Sequence, residues 1–466
     1  MRHDRLGYWI EEAGEAARAA PLEGERDADV VIVGGGYTGL WTAWHLRRLE
    51  PEARVTLLEA EPLCGLGPSG RNGGFCDAMW LSLASMRERW GPEGALAVAW
   101  AAEEAVDRIE AFCRDEGVDA WFRRGGYLEA STAAAHDGSW ERNVAACREL
   151  GVDEKVVVLS EAEVRARCDS PAFRGGAYSP VTASVQPARL ALGLRERVRA
   201  AGVEVFESSP VRSFRESGDG VLARTARGAV RARRGVIAIG AGAKGRRGPL
   251  RDRLTVASSH IVLTEPVPDV IDRLGWNGGE CITDGRSLVH YFRTTPEGRI
   301  AFGWGGGRIA MGARTKGRAE LDPAVIAAAG RHLHDYFPGL RGRRITHAWG
   351  GPIDASPTHL PAVRSLPAGR AFAAAGYTGN GVGPSNMVGR TLAALALDRR
   401  DDPSRLAFVD DQTPRLPPEP FHWLGGESIR LGILKKEEAE MAGRRPGRVA
   451  AAVAKVPDLL GFHIGR

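Results

Sequence analysis

The chain has 466 residues, 43% of them apolar, with 60 glycines and 27 prolines, which suits two domains or one large discontinuous one in a turn-rich α/β protein. Its 63 basic and 58 acidic residues leave a formal charge of only +5, and the arginines are scattered, which argues against nucleic-acid binding. The cysteines Cys64, Cys76, Cys113, Cys147, Cys168 and Cys281 form no C-x-x-C pair and stand beside no histidine cluster, so neither structural zinc nor a disulfide framework is expected, no metal is called for, and a reducing cytoplasm is the simplest setting.

Residues 1–26 mix Arg, Asp and Glu and lack the charged start and apolar core of a signal peptide. They read as an N-terminal arm whose Tyr8 and Trp9 dock on the main body by burying aromatic surface. No apolar run approaches the roughly 20 residues that span a bilayer, so no transmembrane segment is expected.

At residue 29 the pattern changes. Val30-Val31-Ile32-Val33 is an apolar run bounded by glycine, which predicts a strand buried on both faces of a parallel sheet. Gly34-Gly35-Gly36-Tyr37-Thr38-Gly39 follows, and Leu40, Trp41, Ala43, Trp44, Leu46 and Leu49 then recur at roughly helical spacing. In that context Gly34 permits the tight turn, Gly36 lets a pyrophosphate approach the backbone, and Gly39 lets helix and sheet pack closely. The helix N-terminus supplies N–H donors and a positive dipole. A second strand, Val55-Thr56-Leu57-Leu58, ends at Glu59, 20 residues past Gly39, the spacing at which a carboxylate accepts hydrogen bonds from an adenosine ribose.

NAD and FAD share this fingerprint, and the next loop separates them. Gly65-Leu66-Gly67-Pro68-Ser69-Gly70-Arg71-Asn72-Gly73-Gly74 combines small residues for close backbone approach with donors in Ser69, Arg71 and Asn72. It resembles the GASGRNGG segment of FAD-dependent amine and amino-acid oxidoreductases of the D-amino-acid oxidase superfamily, with Pro68 in place of the usual Ala. The resemblance implies non-covalent FAD, passed along Gly34, Gly36, Tyr37, Thr38, Gly39, Glu59, Ala60, Ser69, Gly70, Arg71, Asn72, Gly73 and Gly74.

Further along, residues 94–116 read as a long helix, 121–129 as a strand and 189–201 as a helix. Val203-Glu204-Val205-Phe206, followed by Val211, reads as a strand returning to the sheet, and resembles the family segment whose backbone covers the adenine near Val211. The run 235–243, with Gly240, Ala241 and Gly242 at its end, is similar to the family's strand beside the cofactor. Between 254 and 345 polar alternation suggests an antiparallel sheet with one covered face. Alternation puts His290 and Phe292 on one side of a strand and Tyr291 and Arg293 on the other, without saying which side meets the flavin. Gly376-Tyr377-Thr378-Gly379-Asn380-Gly381-Val382 looks like the family's C-terminal motif, whose helix N-terminus stabilises charge on the flavin.

The resemblance covers about 29–397 and implies an α/β fold: a Rossmann-type FAD-binding domain with an interleaved antiparallel-sheet substrate domain, as in glutathione reductase and D-amino-acid oxidase. The expected division is an arm (1–26), a discontinuous FAD-binding domain (27–85, 151–250 and 350–410), a substrate domain (86–150 and 251–349) and a C-terminal helical extension (411–466). That extension is expected to pack on its own body or on a second subunit, with homo-oligomer formation as one outcome, rather than to dock on a membrane, because Glu437, Glu438 and Glu440 interrupt its basic residues.

Amino-acid oxidases of this superfamily carry an Arg that clamps the substrate carboxylate. Aligning Trp349, Gly351, Pro357 and Pro361 with that segment puts Ile353 at the position of the Arg. The local Trp349-Gly350-Gly351 with Asp354 is more similar to γ-glutamylputrescine oxidases, and the 69–76 context also resembles proposed aminophosphonate oxidoreductases. Tyr291, Asp354 and Trp349 are the candidate catalytic residues, although a core role for Tyr291 and a turn role for Asp354 stay equally open. The implied reaction is FAD-dependent oxidation of a primary or secondary amine to an imine that hydrolyses, with O2 reduced to H2O2. The alternatives are a dehydrogenase for an amino acid or aminophosphonate that uses another acceptor, and a non-catalytic flavoprotein.

Overall fold

Two sheets organise the chain, and the first forms where the sequence is most continuously apolar. The computed structural model describes residues 2–245, 249–312, 314–459 and 461–462. The strand Gly24–Val33 pairs in parallel with Val55–Leu58 on one side and Gly228–Ile237 on the other. Glu204–Phe206 and Ala371–Ala375 extend the sheet in parallel at its two ends. A meander of Ser213–Ser217 and Gly220–Arg224 runs antiparallel onto Gly228–Ile237, and Ala362–Ser365 runs antiparallel to Ala371–Ala375. Both faces of Val30, Val31 and Ile32 are covered, which is why no polar residue interrupts this run.

The helices Tyr37–Leu49 and Val382–Ala396 pack together on this sheet. Gly389 makes their approach possible, because a Cβ there would lie 2.7 Å from Trp41 Cβ. The long helix Leu83–Asp115 joins the same core through Ala99, Ala102, Val106 and Ile109. It begins earlier than the apolar pattern from 94 suggests and turns at Gly91, whose φ of 72° precedes Pro92.

The second sheet has nine strands, in the order Arg2–His3, Ile345–Ala355, Thr255–Thr264, Ile300–Trp304, His290–Thr294, Cys281–Asp284, Tyr127–Ala130, Gly175–Ser179 and Val157–Ser160. The helix Pro323–Tyr336 covers one face, where Tyr336 meets the rings of His290, Phe292 and Phe302. Tyr291 and Arg293 therefore point to the other face, toward the loop at Gly73 and Gly74.

Several segments differ from the sequence expectation. The strand expected over 121–129 is broken into Arg123–Arg124 and Tyr127–Ala130 by Gly125-Gly126, where Gly126 takes φ 75°. Val157–Ser160 and Gly175–Ser179, expected with the nucleotide-binding strands, pair in the nine-stranded sheet, because Leu159 and Val164 find their apolar partners in its core. Residues 86–115, expected with the substrate sheet, lie instead in the nucleotide core. Val211 is not in a strand: the returning strand ends at Phe206, and Val211 packs further on against the apolar cluster that contains Leu58 and Val31.

The arm is fastened by more than aromatic burial. Arg2–His3 adds a parallel strand to the edge at His347 and Ala348, and the helix Tyr8–Ala13 seats Trp9, fully buried, against Trp349 with ring centroids 5.7 Å apart. At the other end, Phe421–Met441, Arg448–Ala454 and Val456–Leu459 are helical. Among the described residues no helix is long and apolar enough to cross a membrane.

Candidate active site

Glycine-rich and polar turns converge between the two sheets. Gly34 crosses the strand end at Ala238 so closely that a Cβ would lie 2.2 Å from Ala238 O, and at Gly39 a Cβ would lie 1.9 Å from Gly34 O. No larger residue fits at either position. Glu59, half-buried at the end of its strand, accepts from Gly35 N at 2.5 Å and from Glu61 N at 2.7 Å. Burial raises its pKa, and those N–H donors partly oppose the rise.

The loop 65–74 braces itself. Ser69 Oγ accepts from Tyr37 N at 2.9 Å, which ties it to the start of the helix Tyr37–Leu49. Asn72 donates to Ser69 O at 2.8 Å and accepts from Gly74 N at 2.7 Å. From behind, Trp9 Nε1 donates to Asn72 O at 3.0 Å and Trp349 Nε1 to Arg71 O at 2.9 Å. The Arg71 guanidinium donates to Arg5 O at 2.9 Å and stands 3.6 Å from Glu320, while burial lowers its pKa. The arm and the Trp349 strand thus hold the loop from the side away from the turns.

Opposite this loop, Gly376, Thr378 and Gly379 take positive φ values of 90°, 53° and 89° before the helix Val382–Ala396. Asp354 fixes that turn: its carboxylate accepts from Gly376 N at 2.6 Å and its carbonyl from Thr378 N at 3.0 Å. Burial pushes the Asp354 carboxyl up to about 6. Tyr377 and Thr38 share a hydrogen bond of 2.7 Å, which links the N-terminal ends of the two helices.

Where loop and turn meet lies a cavity of about 130 Å³. Arg71, Asn72 and Gly73 border it on one side, and Thr378, Gly379, Asn380 and Val382 on the other. The nine-stranded sheet closes it with Ser259, Tyr291 and Ile353. A wider surface depression beside Arg165 and Asp272 is remote from these turns. Tyr291 OH and Ser259 Oγ are 2.7 Å apart, and Ser259 Oγ donates to Trp304 O at 3.0 Å. Ser259 has one proton and spends it on Trp304, so Tyr291 is the donor of the pair and its own lone pairs remain for the cavity. Burial pushes the Tyr291 phenol up to about 12.

Residues 29–395 match the family model described as FAD dependent oxidoreductase, DAO. The chain belongs to this family of FAD-dependent oxidoreductases. It is 30% identical over 389 residues to a probable oxidoreductase OrdL of Rhizobium meliloti, covering 81% of this chain and 85% of that one. It is 27% identical over 439 residues to gamma-glutamylputrescine oxidoreductase of Escherichia coli, covering 92% and 96%. Among solved structures, glycine oxidase from Geobacillus kaustophilus shares the fold at a TM-score of 0.66 and 21% identity, over 81% of this chain and 96% of that one.

FAD is the cofactor of this oxidoreductase, and the residues present fit it. A Cβ at Gly67 or Gly240 would meet nothing within 4 Å, and at Gly379 only Ile353 Cδ1 at 4.0 Å, so the turns leave open the path that a dinucleotide needs. The N-terminal ends of the helices Tyr37–Leu49 and Val382–Ala396, free of acidic residues in their first turns, would meet its anionic groups. Glu59 would hold the ribose and Ser69 to Gly74 the chain between nucleotide and flavin.

Of the three candidate catalytic residues only Tyr291 borders the cavity. Trp349 is fully buried behind the loop, and Asp354 faces the Gly376 turn while its neighbour Ile353 faces the cavity. Tyr37 contributes its N–H; its ring is buried and its hydroxyl donates to Pro187 O. Ser259, Thr283 and Val289 were not singled out from sequence. Ser259 stands 32 residues before Tyr291 and Thr283 pairs with Tyr291 from the neighbouring strand, so only strand pairing brings them together, whereas Val289, two residues before Tyr291, shares its side by the same alternation.

Proposed function

We propose that the protein oxidises a primary or secondary amine at the carbon bearing nitrogen, giving an imine that water hydrolyses, with O2 as the electron acceptor and H2O2 as the by-product. The carrying observation is Ile353 in the cavity wall, where the resemblance to amino-acid oxidases calls for an arginine. Neither Arg293 nor Arg308 compensates. Arg293 is buried, donates to Val185 O at 2.7 Å and stacks on Trp9, and Arg308 pairs with Asp322 at 2.8 Å. Arg71 does border the cavity, but its charge is answered by Glu320 and by the carbonyls of Arg5 and Gly350. A substrate α-carboxylate therefore has no free bidentate partner among the described lining residues.

Bound FAD supplies the two-electron oxidation. The chain's own residues select and hold the form of the amine that can react. No carboxylate lines the cavity among the described residues, so an ammonium ion would be desolvated without a counter-ion, which favours the neutral amine. The Tyr291 phenol, held by Ser259, offers its oxygen to an amine N–H and orients the C–N bond. The name of the E. coli relative, gamma-glutamylputrescine oxidoreductase, supports an amine substrate.

The test is anaerobic flavin reduction across a panel of amines, amino acids and aminophosphonates, followed by peroxide assay in air. Fast bleaching by amines with stoichiometric H2O2 is the expected outcome. Amine bleaching without peroxide would replace O2 with another acceptor, and fast bleaching by glycine or D-alanine would overturn the amine assignment.

A further inference from the structure

The C-terminal extension has one face that the fold uses and one that it leaves bare. On the inner face, His422 is hydrogen-bonded to Lys244 at 3.0 Å and to Thr255 at 2.9 Å, and Arg430 donates to Gly306 O at 3.2 Å. Glu437 accepts from Leu288 N at 3.1 Å. The helix Phe421–Met441 is therefore fixed to the substrate sheet along its length. The helix Arg448–Ala454 folds back on it at Gly432, where a Cβ would lie 2.7 Å from Val453 Cγ1.

The outer face is apolar and cationic together. Phe421, Leu424 and Leu431 are exposed along the first helix, and beyond the turn Val449 and Leu459 are 79% and 82% exposed. These are the most exposed large apolar side chains described, apart from Leu424 and Leu431, which are about half exposed. Arg448, Ala452, Lys455 and Leu459 recur at intervals of four, three and four residues, the repeat of a single helical stripe, and all four are exposed. Between 435 and 455 the exposed charges are Lys435, Arg444, Arg445, Arg448 and Lys455 against Glu438 alone. None of those five cations makes an ion pair with a described residue: the salt bridges in this stretch belong to Lys436 and Glu440.

We propose that this face docks on the surface of an anionic lipid bilayer, with Val449 and Leu459 entering the headgroup boundary and the five unpaired cations lying against the lipid phosphates. Exposed apolar side chains flanked by unanswered positive charge suit an interfacial helix, whose binding adds apolar burial to electrostatic attraction. A second copy of this chain is a poorer occupant. Two-fold pairing of the face would set Arg444, Arg445, Arg448 and Lys455 against their own copies with only Glu438 to offset them.

Full-length FAD-loaded protein is sedimented with vesicles of phosphatidylcholine alone or mixed equally with phosphatidylglycerol, while light scattering reports its oligomeric state. It should pellet with the mixed vesicles, remain in solution with phosphatidylcholine, and be released by high salt. Arg448→Gln and Lys455→Gln should each weaken the vesicle affinity by roughly fivefold. Val449→Asp combined with Leu459→Asp should abolish pelleting and leave flavin absorbance and amine turnover in solution unchanged. Equal pelleting with both vesicle types, or none with either, overturns the proposal. A dimer that the apolar-to-Asp variant dissociates, without vesicle binding by the original protein, assigns the face to a second copy.

Discussion

Tyr291 reaches Ser259 Oγ at 2.7 Å across the bare backbone of Gly303, which separates their two strands. A Cβ at Gly303 would lie 2.1 Å from the Tyr291 ring, so the glycine is what allows the phenol to lie flat over the sheet and turn its oxygen to the cavity. Tyr291→Phe should lower kcat/KM for amines by roughly tenfold, the worth of one hydrogen bond of about 1–1.5 kcal/mol, without loss of FAD. Gly303→Ala should lower it at least as far by displacing the ring. Steady-state kinetics beside the flavin absorbance of each variant decides the matter, and unchanged kinetics in both would remove Tyr291 from the site.

The phenol should also be silent in the pH profile. Burial holds Tyr291 at about 12, so between pH 7 and 10 kcat/KM should rise only as the substrate amine loses its proton. A falling limb in that range that disappears in Tyr291→Phe would contradict this.

Asp354 carries a stability cost that depends on pH. Its folded pKa of about 6 lies above the ordinary value of 3.8, so between those values the folded protein binds more protons than the unfolded chain, and stability falls as pH rises through the window. Above about pH 6 the full cost, on the order of 2–3 kcal/mol, is present; below about pH 4 it is absent. Asp354→Asn keeps an acceptor for Gly376 N and removes the charge. It should raise the melting temperature at pH 8 and leave it unchanged near pH 4, whereas Asp354→Ala should loosen the Gly376 turn and weaken FAD retention at both.

Ile353 is the position at which substrate class should be convertible. Ile353→Arg places a guanidinium in the cavity wall and should shift flavin reduction toward glycine and D-alanine and away from simple amines. Rapid-mixing spectroscopy on the two substrate sets reads the ratio directly. An unchanged ratio in a folded, FAD-loaded variant would mean that substrate binds elsewhere.

Glu59→Ala should weaken FAD binding by about 1.5–3 kcal/mol, roughly tenfold to a hundredfold in Kd, if its carboxylate is the acceptor for the ribose as well as for Gly35 N. Fluorescence titration of the apoprotein with FAD measures this.

The flavin should be released by acid. Cys76 and Cys281 are the cysteines flanking the loop and the substrate sheet, and both are buried. Burial pushes the Cys281 thiol up to about 12 and the Cys76 thiol well above its ordinary value, so neither offers a thiolate for a covalent link. Acid-precipitated protein should leave its yellow colour in solution; a coloured pellet would contradict this.

What the chain's order of residues determined by itself was the local architecture around the Gly34 turn. Strand, glycine turn, helix and Glu59 are local features, and an apolar run or a glycine that tolerates no side chain writes itself into sequence whatever else the chain does. The same holds for the alternation of His290 to Arg293, which separates two faces correctly. Only the tertiary structure decided which face meets the cavity, because that depends on the helix Pro323–Tyr336 covering the other side. It also parted Ile353 from Asp354, adjacent in sequence and opposite in the fold, and moved Trp349 from the cavity to the back of the loop 65–74, where Trp9 arrives from some 340 residues earlier in the chain. Such contacts join strands distant in sequence, and a one-residue change of register would have exchanged every one of them.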